Sequence, residues 1–166
     1  MQDLKAQFGN IDIYLFDQLL KGRLTPEMRI LDAGCGRGRN IRYLLQNGFD
    51  VTGIDADQDA ITYVQSIAKR LAPDKPANRF AVGEIAYLPF EPAAFDVVIS
   101  SAVLHFAKNE AHFHKMVDEM WRVLKPGGFL FARLASTIGI EKEVEPLEGR
   151  WFALPDGSNR FLVDQR

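Results

Sequence analysis

The sequence has a single cysteine, Cys35, and no apolar stretch of the length that spans a bilayer. One cysteine cannot form an intramolecular disulfide, so the disulfide frameworks of small secreted proteins are excluded and a reducing compartment fits best. The N-terminal residues MQDLKAQFGN have no apolar centre and do not resemble a signal peptide. We therefore expect a cytoplasmic protein that does not act at a membrane.

The sequence also lacks an excess of basic charge. Lys and Arg together number 20 against 22 acidic residues, which gives a formal net charge of -2. This balance argues against nucleic acid as a partner. His112 and His114 lie two residues apart in a predicted helix and cannot share a face, so we expect no metal site.

The 166 residues fit one domain, in which short apolar segments alternate with segments of helical periodicity. This alternation predicts an α/β fold with a doubly wound parallel sheet and helices on both faces. We divide the domain into an N-terminal helical cap (1–27), a core (28–134) and a C-terminal tail or hairpin (135–166). The predicted strands are MRILDAG, FDVTGID, RFAVGE, FDVVIS and FLFARL, and the predicted helices lie around 11–20, 39–48, 58–71 and 113–124.

The first predicted strand runs into a loop with glycines at Gly34, Gly36 and Gly38. A dinucleotide fingerprint needs glycine at relative positions one, three and six, but position six is Arg39 or Ile41 in the two possible frames. A Walker loop must end in Gly-Lys-Ser/Thr, whereas this loop ends in Gly-Arg-Asn. Both phosphate-binding interpretations therefore fail on spacing.

The loop belongs to an ordered set of motifs that resembles the class I S-adenosylmethionine-dependent methyltransferases. The motifs are LDAGCGRGRN, an acidic residue at the end of the second strand, GEIAYLPF, FDVVISSAVLHF and LKPGG, and they cover about 28–133. The resemblance implies a Rossmann-like methyltransferase fold, S-adenosylmethionine as cofactor and methyl transfer as the activity. The family's sheet has two more strands than the predicted one, so the C-terminal strands are expected to be truncated.

The resemblance also implies which residues bind the cofactor. Asp32 matches the position near the ligand's amino group, Asp55 the position that accepts hydrogen bonds from the ribose, and Glu84 with Ile85 the position near the adenine. For Asp55 alone, capping the next helix is an equally good interpretation, although Asp57 is the better cap. The full expected set is Asp32, Gly34, Gly36, Gly38, Asp55, Ala56, Glu84, Ile85 and Ser100.

The segment from Ser100 to Phe106 is expected to face the methyl group, and His105 is the best candidate for a catalytic base there. A structural role for His105 is the alternative, since many relatives have histidine at this position in that role. Cys35 is expected to be a small filler in the loop because no base is identifiable beside it.

The acceptor is expected to be a small molecule. No Asn/Asp-Pro-Pro-aromatic motif follows the fourth strand, and that motif holds planar nitrogens in relatives that methylate bases or amides. Tyr14, Trp151 and Phe152 are candidates for an apolar acceptor pocket, or they belong to the core. Two other functions stay open: a catalytically silent domain that binds S-adenosylmethionine, and an NAD-dependent oxidoreductase.

The segment after Arg133 is too short for a further helix and two full strands. It contains WFALPDGSNRFLV, two apolar runs around a turn, which predicts a hairpin. In a sheet built in the order 3-2-1-4-5, as the resemblance implies, the fifth strand lies at an edge, where unpaired backbone groups favour association. We expect the hairpin to cover this edge. The alternatives are that the same surface of a second chain covers it, or that the hairpin caps the acceptor pocket, and the expected state is a monomer or a weak homodimer.

Overall fold

The computed structural model describes residues 4–164 and has a five-stranded parallel sheet at its centre. The strand order is β3-β2-β1-β4-β5, as predicted, and the direction of winding changes between β1 and β4. The strands are β1 (Arg29–Ala33), β2 (Asp50–Asp55), β3 (Phe80–Val82), β4 (Phe95–Ser101) and β5 (Leu124–Arg133).

Helices connect the strands and precede the sheet. Asp57 caps one of them by accepting hydrogen bonds from the Asp59 and Ala60 amides, and Asn109 caps another by accepting from the His112 amide. No helix among residues 4–164 is both long and apolar enough to cross a membrane. The α-helices are α1 (Leu4–Phe8), α2 (Ile13–Leu20), α3 (Ile41–Gln46), α4 (Gln58–Leu71) and α5 (Glu110–Val123), and 3-10 turns lie at Ala77–Arg79, Ile85–Tyr87 and Leu104–Phe106.

Two hydrophobic clusters cover the two faces of the sheet. Side chains alternate along a strand, so Ile30 belongs to one cluster and Leu31 to the other. The first cluster receives buried residues of α2, α3 and α4, and the second receives buried residues of α5. The sheet is thus covered on both sides, as the continuous apolar strands predict.

The C-terminal segment forms the predicted hairpin, but the hairpin does not pair with β5. Its strands β7 (Trp151–Ala153) and β8 (Asn159–Phe161) form a separate antiparallel sheet with β6 (Glu145–Pro146). The expectation that it covers the edge of β5 is therefore wrong for residues 4–164.

The hairpin packs on a face of the core instead. Phe161 is 2% exposed and stacks on Phe113 of α5, with 5.2 Å between ring centroids. Val163 pairs with the chain just beyond β5, where its amide donates to the Ala135 carbonyl. Burying apolar area on α5 stabilises the hairpin more than edge hydrogen bonds would, because edge amides can bond to water at little cost.

The strand β5 also begins earlier than predicted. The predicted strand is FLFARL, which begins at Phe129, yet Leu124 already pairs with Phe95, and Phe129 is the next residue in register, opposite Val97. A bulge absorbs the intervening residues.

Candidate functional site

A cavity of about 770 Å³ opens at the carboxyl ends of β1, β2 and β4. Ligands of doubly wound sheets bind at this edge, and the volume is typical of a small-molecule site. Most of the residues predicted to bind a cofactor line it: Gly34, Gly36, Gly38, Asp55, Ala56, Glu84 and Ile85.

Three of the predicted residues do not line the cavity. Asp32 and Ser100 are buried in the ends of β1 and β4, at 1% and 0% exposure. His105 is half-buried, and its ring lies 4.4 Å from that of Phe106, which does line the cavity. Tyr14, Trp151 and Phe152 also lie outside the lining, and Trp151 packs against the second hydrophobic cluster.

The glycine loop is fastened to the end of β2. The amides of Gly34 and Cys35 both donate to the Ile54 carbonyl, at 2.7 and 3.0 Å, and the Gly36 amide donates to Oδ2 of Asp55 at 2.7 Å. The loop therefore keeps its shape through bonds to a neighbouring strand, which the motif by itself does not reveal.

Asp55 uses both carboxylate oxygens to organise the site. Besides the bond to Gly36, its Oδ1 accepts from the Asp57 amide at 2.9 Å. Asp57 performs the helix capping, so the interpretation of Asp55 as a plain cap is wrong. Each carboxylate oxygen has two acceptor positions, so Asp55 still has capacity for donors in the cavity.

The glycines of the loop have different roles. A Cβ at Gly34 would lie 2.5 Å from a methyl group of Val103, so this glycine permits close packing. A Cβ at Gly36 would meet nothing within 4 Å, although its φ of +50° lies in the left-handed region that disfavours other residues. Gly36 is thus the position where the bare backbone faces open space in the cavity.

Asp32 lies beneath this loop and has an unusual ionisation. Burial, partly offset by Arg39 and reinforced by Asp55, raises the pKa of Asp32 to about 7. Its Oδ2 and the Oγ of Ser100 are buried without a hydrogen-bond partner among the described residues. Buried orphan acceptors of this kind favour a donor supplied by a ligand or by water.

The raised pKa predicts a pH-dependent effect of Asp32→Asn on the free energy of unfolding. Between about pH 4 and pH 7 the folded state holds the Asp32 proton and the unfolded state does not, so the stability contributed by this group falls as pH rises. The variant does not titrate there, and at pH 8 it should be more stable than the wild type by about 2–4 kcal/mol.

Urea unfolding of the two ligand-free proteins at pH 4, 5 and 8 measures this effect. Near pH 4 the variant and the wild type should have similar free energies of unfolding. A difference between their free energies of unfolding that is the same at pH 5 and pH 8 would show that Asp32 is ionised at both.

Sequence reasoning missed several residues of the lining. Arg37, Arg39 and Arg42 project from the loop and α3, and their proximity to the motif was the only available signal. The N-terminal segment, α5 and the residue Lys108 before it also contribute, and nothing in their sequence marks them. These contributions are Gly9, Asn10, Lys108, His112 and Met116.

A buried carboxylate, Asp12, joins the N-terminal segment to the cavity wall. Its Oδ2 accepts from Ser101 Oγ and from Arg133 Nη1, both at 2.7 Å, and Arg39 Nη2 lies 3.4 Å away. Arg39 also donates to Ser101 Oγ at 2.8 Å. Although burial opposes it, the bonds from Arg133, Ser101 and Tyr14 lower the pKa of Asp12, so this residue is an anion at neutral pH.

The nucleophile and base candidates differ in what their polar atoms contact. His112 accepts a hydrogen bond from the Lys108 amide at Nδ1, at 3.0 Å, so its neutral form carries the proton on Nε2 and offers a donor. Burial, with Arg160 and Arg133, lowers the pKa of His105, so this ring is neutral at pH 7. Burial raises the pKa of the Cys35 thiol, which leaves it unreactive, as expected of a filler.

The fold places the cavity at the switch point of a doubly wound α/β sheet, and the glycine loop beside it has neither the dinucleotide nor the Walker spacing. The family model described as Methyltransferase domain matches residues 31–132, more than half of the chain. The chain therefore belongs to the family of S-adenosylmethionine-dependent methyltransferase domains, and the cofactor of the family is S-adenosylmethionine. The resemblance carried by the motifs is thus confirmed.

Two curated relatives have similar sequences. The chain is 33% identical over 130 residues to the uncharacterized methyltransferase YodH of Bacillus subtilis, covering 78% of this chain and 52% of YodH. It is 30% identical over 139 residues to the malonyl-[acyl-carrier protein] O-methyltransferase of Pectobacterium atrosepticum, covering 81% of this chain and 49% of that protein. The chain spans about half the length of these relatives.

Solved structures share the fold. The PH0226 protein of Pyrococcus horikoshii superposes with a TM-score of 0.75 at 24% identity, over 99% of this chain and 78% of that chain. A protein of Methanosarcina mazei described as a SAM-dependent methyltransferase superposes with a TM-score of 0.55 at 30% identity, over 68% of this chain and 54% of that chain.

Proposed function

We propose that this chain transfers the methyl group of S-adenosylmethionine to a small-molecule acceptor. The observation that carries the proposal is the joint placement of Gly36, Asp55 and Glu84 on one cavity at the switch point of the sheet. These are the positions that the family motifs assign to the cofactor.

The residues of the cavity fit the chemical groups of S-adenosylmethionine. Asp55 would accept from ribose hydroxyls with its remaining lone pairs, and Glu84 with Ile85 would lie against the adenine. Gly36 would let the ligand approach the backbone, because no side chain occupies that space. Asp32 lies beneath the loop and outside the lining, and its carboxylate would favour the ammonium end of the ligand from there.

When bound, the cofactor supplies an electrophilic methyl group and its own leaving group. The protein then has to orient a nucleophile, exclude water and, for a protonated nucleophile, accept a proton. Val103 and Phe106 supply apolar lining after β4, where we propose that the acceptor lies. The volume of the cavity and the malonyl group in the name of the Pectobacterium relative support a small acceptor or acyl group.

We further propose His105 as the base. No hydrogen bond occupies its ring nitrogens within residues 4–164, whereas Nδ1 of His112 is already engaged. Its lowered pKa keeps it unprotonated at neutral pH, as a base must be. The ring adjoins Phe106, so His105 would reach the acceptor at the edge of the cavity.

His105→Ala tests this role. Turnover should fall about 100-fold or more, the usual contribution of a general base, while the affinity for S-adenosylhomocysteine stays within twofold of the wild type. Calorimetry gives the affinity, and release of S-adenosylhomocysteine gives the turnover. Wild-type turnover in this variant would assign His105 the structural role.

The whole proposal is tested by two measurements on the same protein. Titration with S-adenosylhomocysteine and separately with NADH should show binding of the former only. Binding of NADH alone would support the oxidoreductase, an alternative that the failed dinucleotide spacing disfavours. A broad panel of small acceptors, followed by release of S-adenosylhomocysteine, should then give turnover, whereas cofactor binding without any turnover would support the catalytically silent domain.

A further inference from the structure

One end of the cavity carries more positive than negative charge. Arg39 and Arg42 line the cavity near Gly9, and a Cβ on Gly9 would lie 3.9 Å from Cδ of Arg42. Arg133 lies outside the lining but meets Arg39, which belongs to it, at the same carboxylate oxygen of Asp12. We call Arg39, Arg42 and Arg133 the arginine cluster.

Asp12 is the acidic residue that pairs with Arg39 and Arg133, and its Oδ2 already accepts two short hydrogen bonds. Its Oδ2 holds Ser101 and Arg133 at 2.7 Å, and its Oδ1 accepts from the Tyr14 amide at 3.0 Å. Arg42 forms no ion pair within residues 4–164. Two guanidinium groups thus share one carboxylate, and the third has no acidic partner among these residues.

The geometry leaves these arginines free to bind something else. The Arg39 and Arg133 side chains are 44% and 47% exposed, and each uses one terminal nitrogen in its contact with Asp12. A guanidinium has five donors in a planar fork, so most donors of the cluster lack a protein acceptor. The fork matches a carboxylate, which it binds through two parallel hydrogen bonds.

The cofactor of the proposed function does not remove the imbalance. Its carboxylate can pair with one arginine, but its ammonium and sulfonium bring two positive charges, so its net charge is +1. Binding therefore increases the local excess of positive charge. A second ligand bound beside the cofactor is favoured when it is an anion.

We infer that the methyl acceptor carries a carboxylate, and that this group binds at the arginine cluster. The inference rests on the proposed function, and it names the class of acceptor for the same site. The carboxylate anchors the acceptor, and the atom that receives the methyl group can be another one.

Binding of malonate to the protein saturated with S-adenosylhomocysteine tests the inference, since the cofactor's own carboxylate is then already present. Calorimetry should show saturable binding of malonate and none of malonamide, its uncharged analogue. Arg42→Gln should lower the affinity for malonate at least fivefold and leave the affinity for S-adenosylhomocysteine within threefold of the wild type. Arg70→Gln, which removes the same charge outside the cavity lining, should bind malonate like the wild type.

The outcomes separate the two proposals. Failure of wild-type protein to bind S-adenosylhomocysteine would overturn the proposed function and this inference with it. Normal binding of S-adenosylhomocysteine without saturable malonate binding would overturn the inference alone and assign the arginines to the cofactor. An equal loss of malonate affinity in Arg42→Gln and Arg70→Gln would show that the effect comes from net charge, and it would also overturn the inference.

Discussion

Asp55→Ala should reduce the affinity for S-adenosylhomocysteine at least 30-fold. The carboxylate is proposed to bind the ribose, and a hydrogen bond to a charged group contributes about 1.5–3 kcal/mol. Asp55 also holds the Gly36 amide at 2.7 Å, so its loss loosens the loop that faces the ligand. The free energy of unfolding should fall by about 2–4 kcal/mol, because the Gly36 and Asp57 amides both lose their acceptor.

Asp57→Ala is the matched control for this variant. It removes the cap of α4, where Asp57 accepts from the Asp59 amide at 2.8 Å, and should cost about 1 kcal/mol of stability. Its affinity for S-adenosylhomocysteine should stay near that of the wild type. Calorimetry and urea unfolding on all three proteins give both quantities, and wild-type affinity in folded Asp55→Ala would place the cofactor elsewhere.

Gly36→Val should abolish binding of S-adenosylhomocysteine while the protein remains folded. The branched side chain would project into open space of the cavity, so the folded state meets no clash, but the ligand can no longer approach the backbone. The φ of +50° adds about 1–3 kcal/mol of backbone strain, which lowers stability without unfolding a domain of ordinary stability.

Gly22→Val separates strain from obstruction. Gly22 also has a positive φ, +65°, and a Cβ there would likewise meet nothing within 4 Å, but this residue does not line the cavity. Both variants should lose similar stability, measured by thermal unfolding, and only Gly36→Val should lose the ligand. A loss of binding in both would trace the effect to general destabilisation.

The local rules of sequence were sufficient for most of the secondary structure. Asp57 as a cap and the helices predicted around 58–71 and 113–124 depend on neighbouring residues, and the structure confirms the cap and places helices at Gln58–Leu71 and Glu110–Val123. The two errors at β5 concern strand pairing, which depends on distant residues. The strand β5 begins at Leu124 because this residue pairs with Phe95 of β4. The hairpin packs on α5 because Phe161 stacks on Phe113.

The candidate site was predictable where one motif encodes a conformation. Three glycines in alternate positions require a special backbone, and their spacing by itself excludes the dinucleotide and Walker phosphate loops. The roles within the loop were not predictable. A side chain at Gly34 would clash with Val103, whereas a side chain at Gly36 would enter open space. The motif shows neither of these surroundings.

By itself, therefore, the sequence determined the α/β architecture, because short-range periodicity encodes it, and the resemblance of its motifs indicated the strand order, the methyltransferase family and the loop expected to face the cofactor. Only the tertiary structure decided that Asp55 holds the loop, that Asp32 is buried with a raised pKa, and that Asp12, Arg39 and Arg133 meet beside the cavity. These features depend on side chains far apart in the chain that converge when the sheet forms. Their burial and charge balance exist only in the folded molecule.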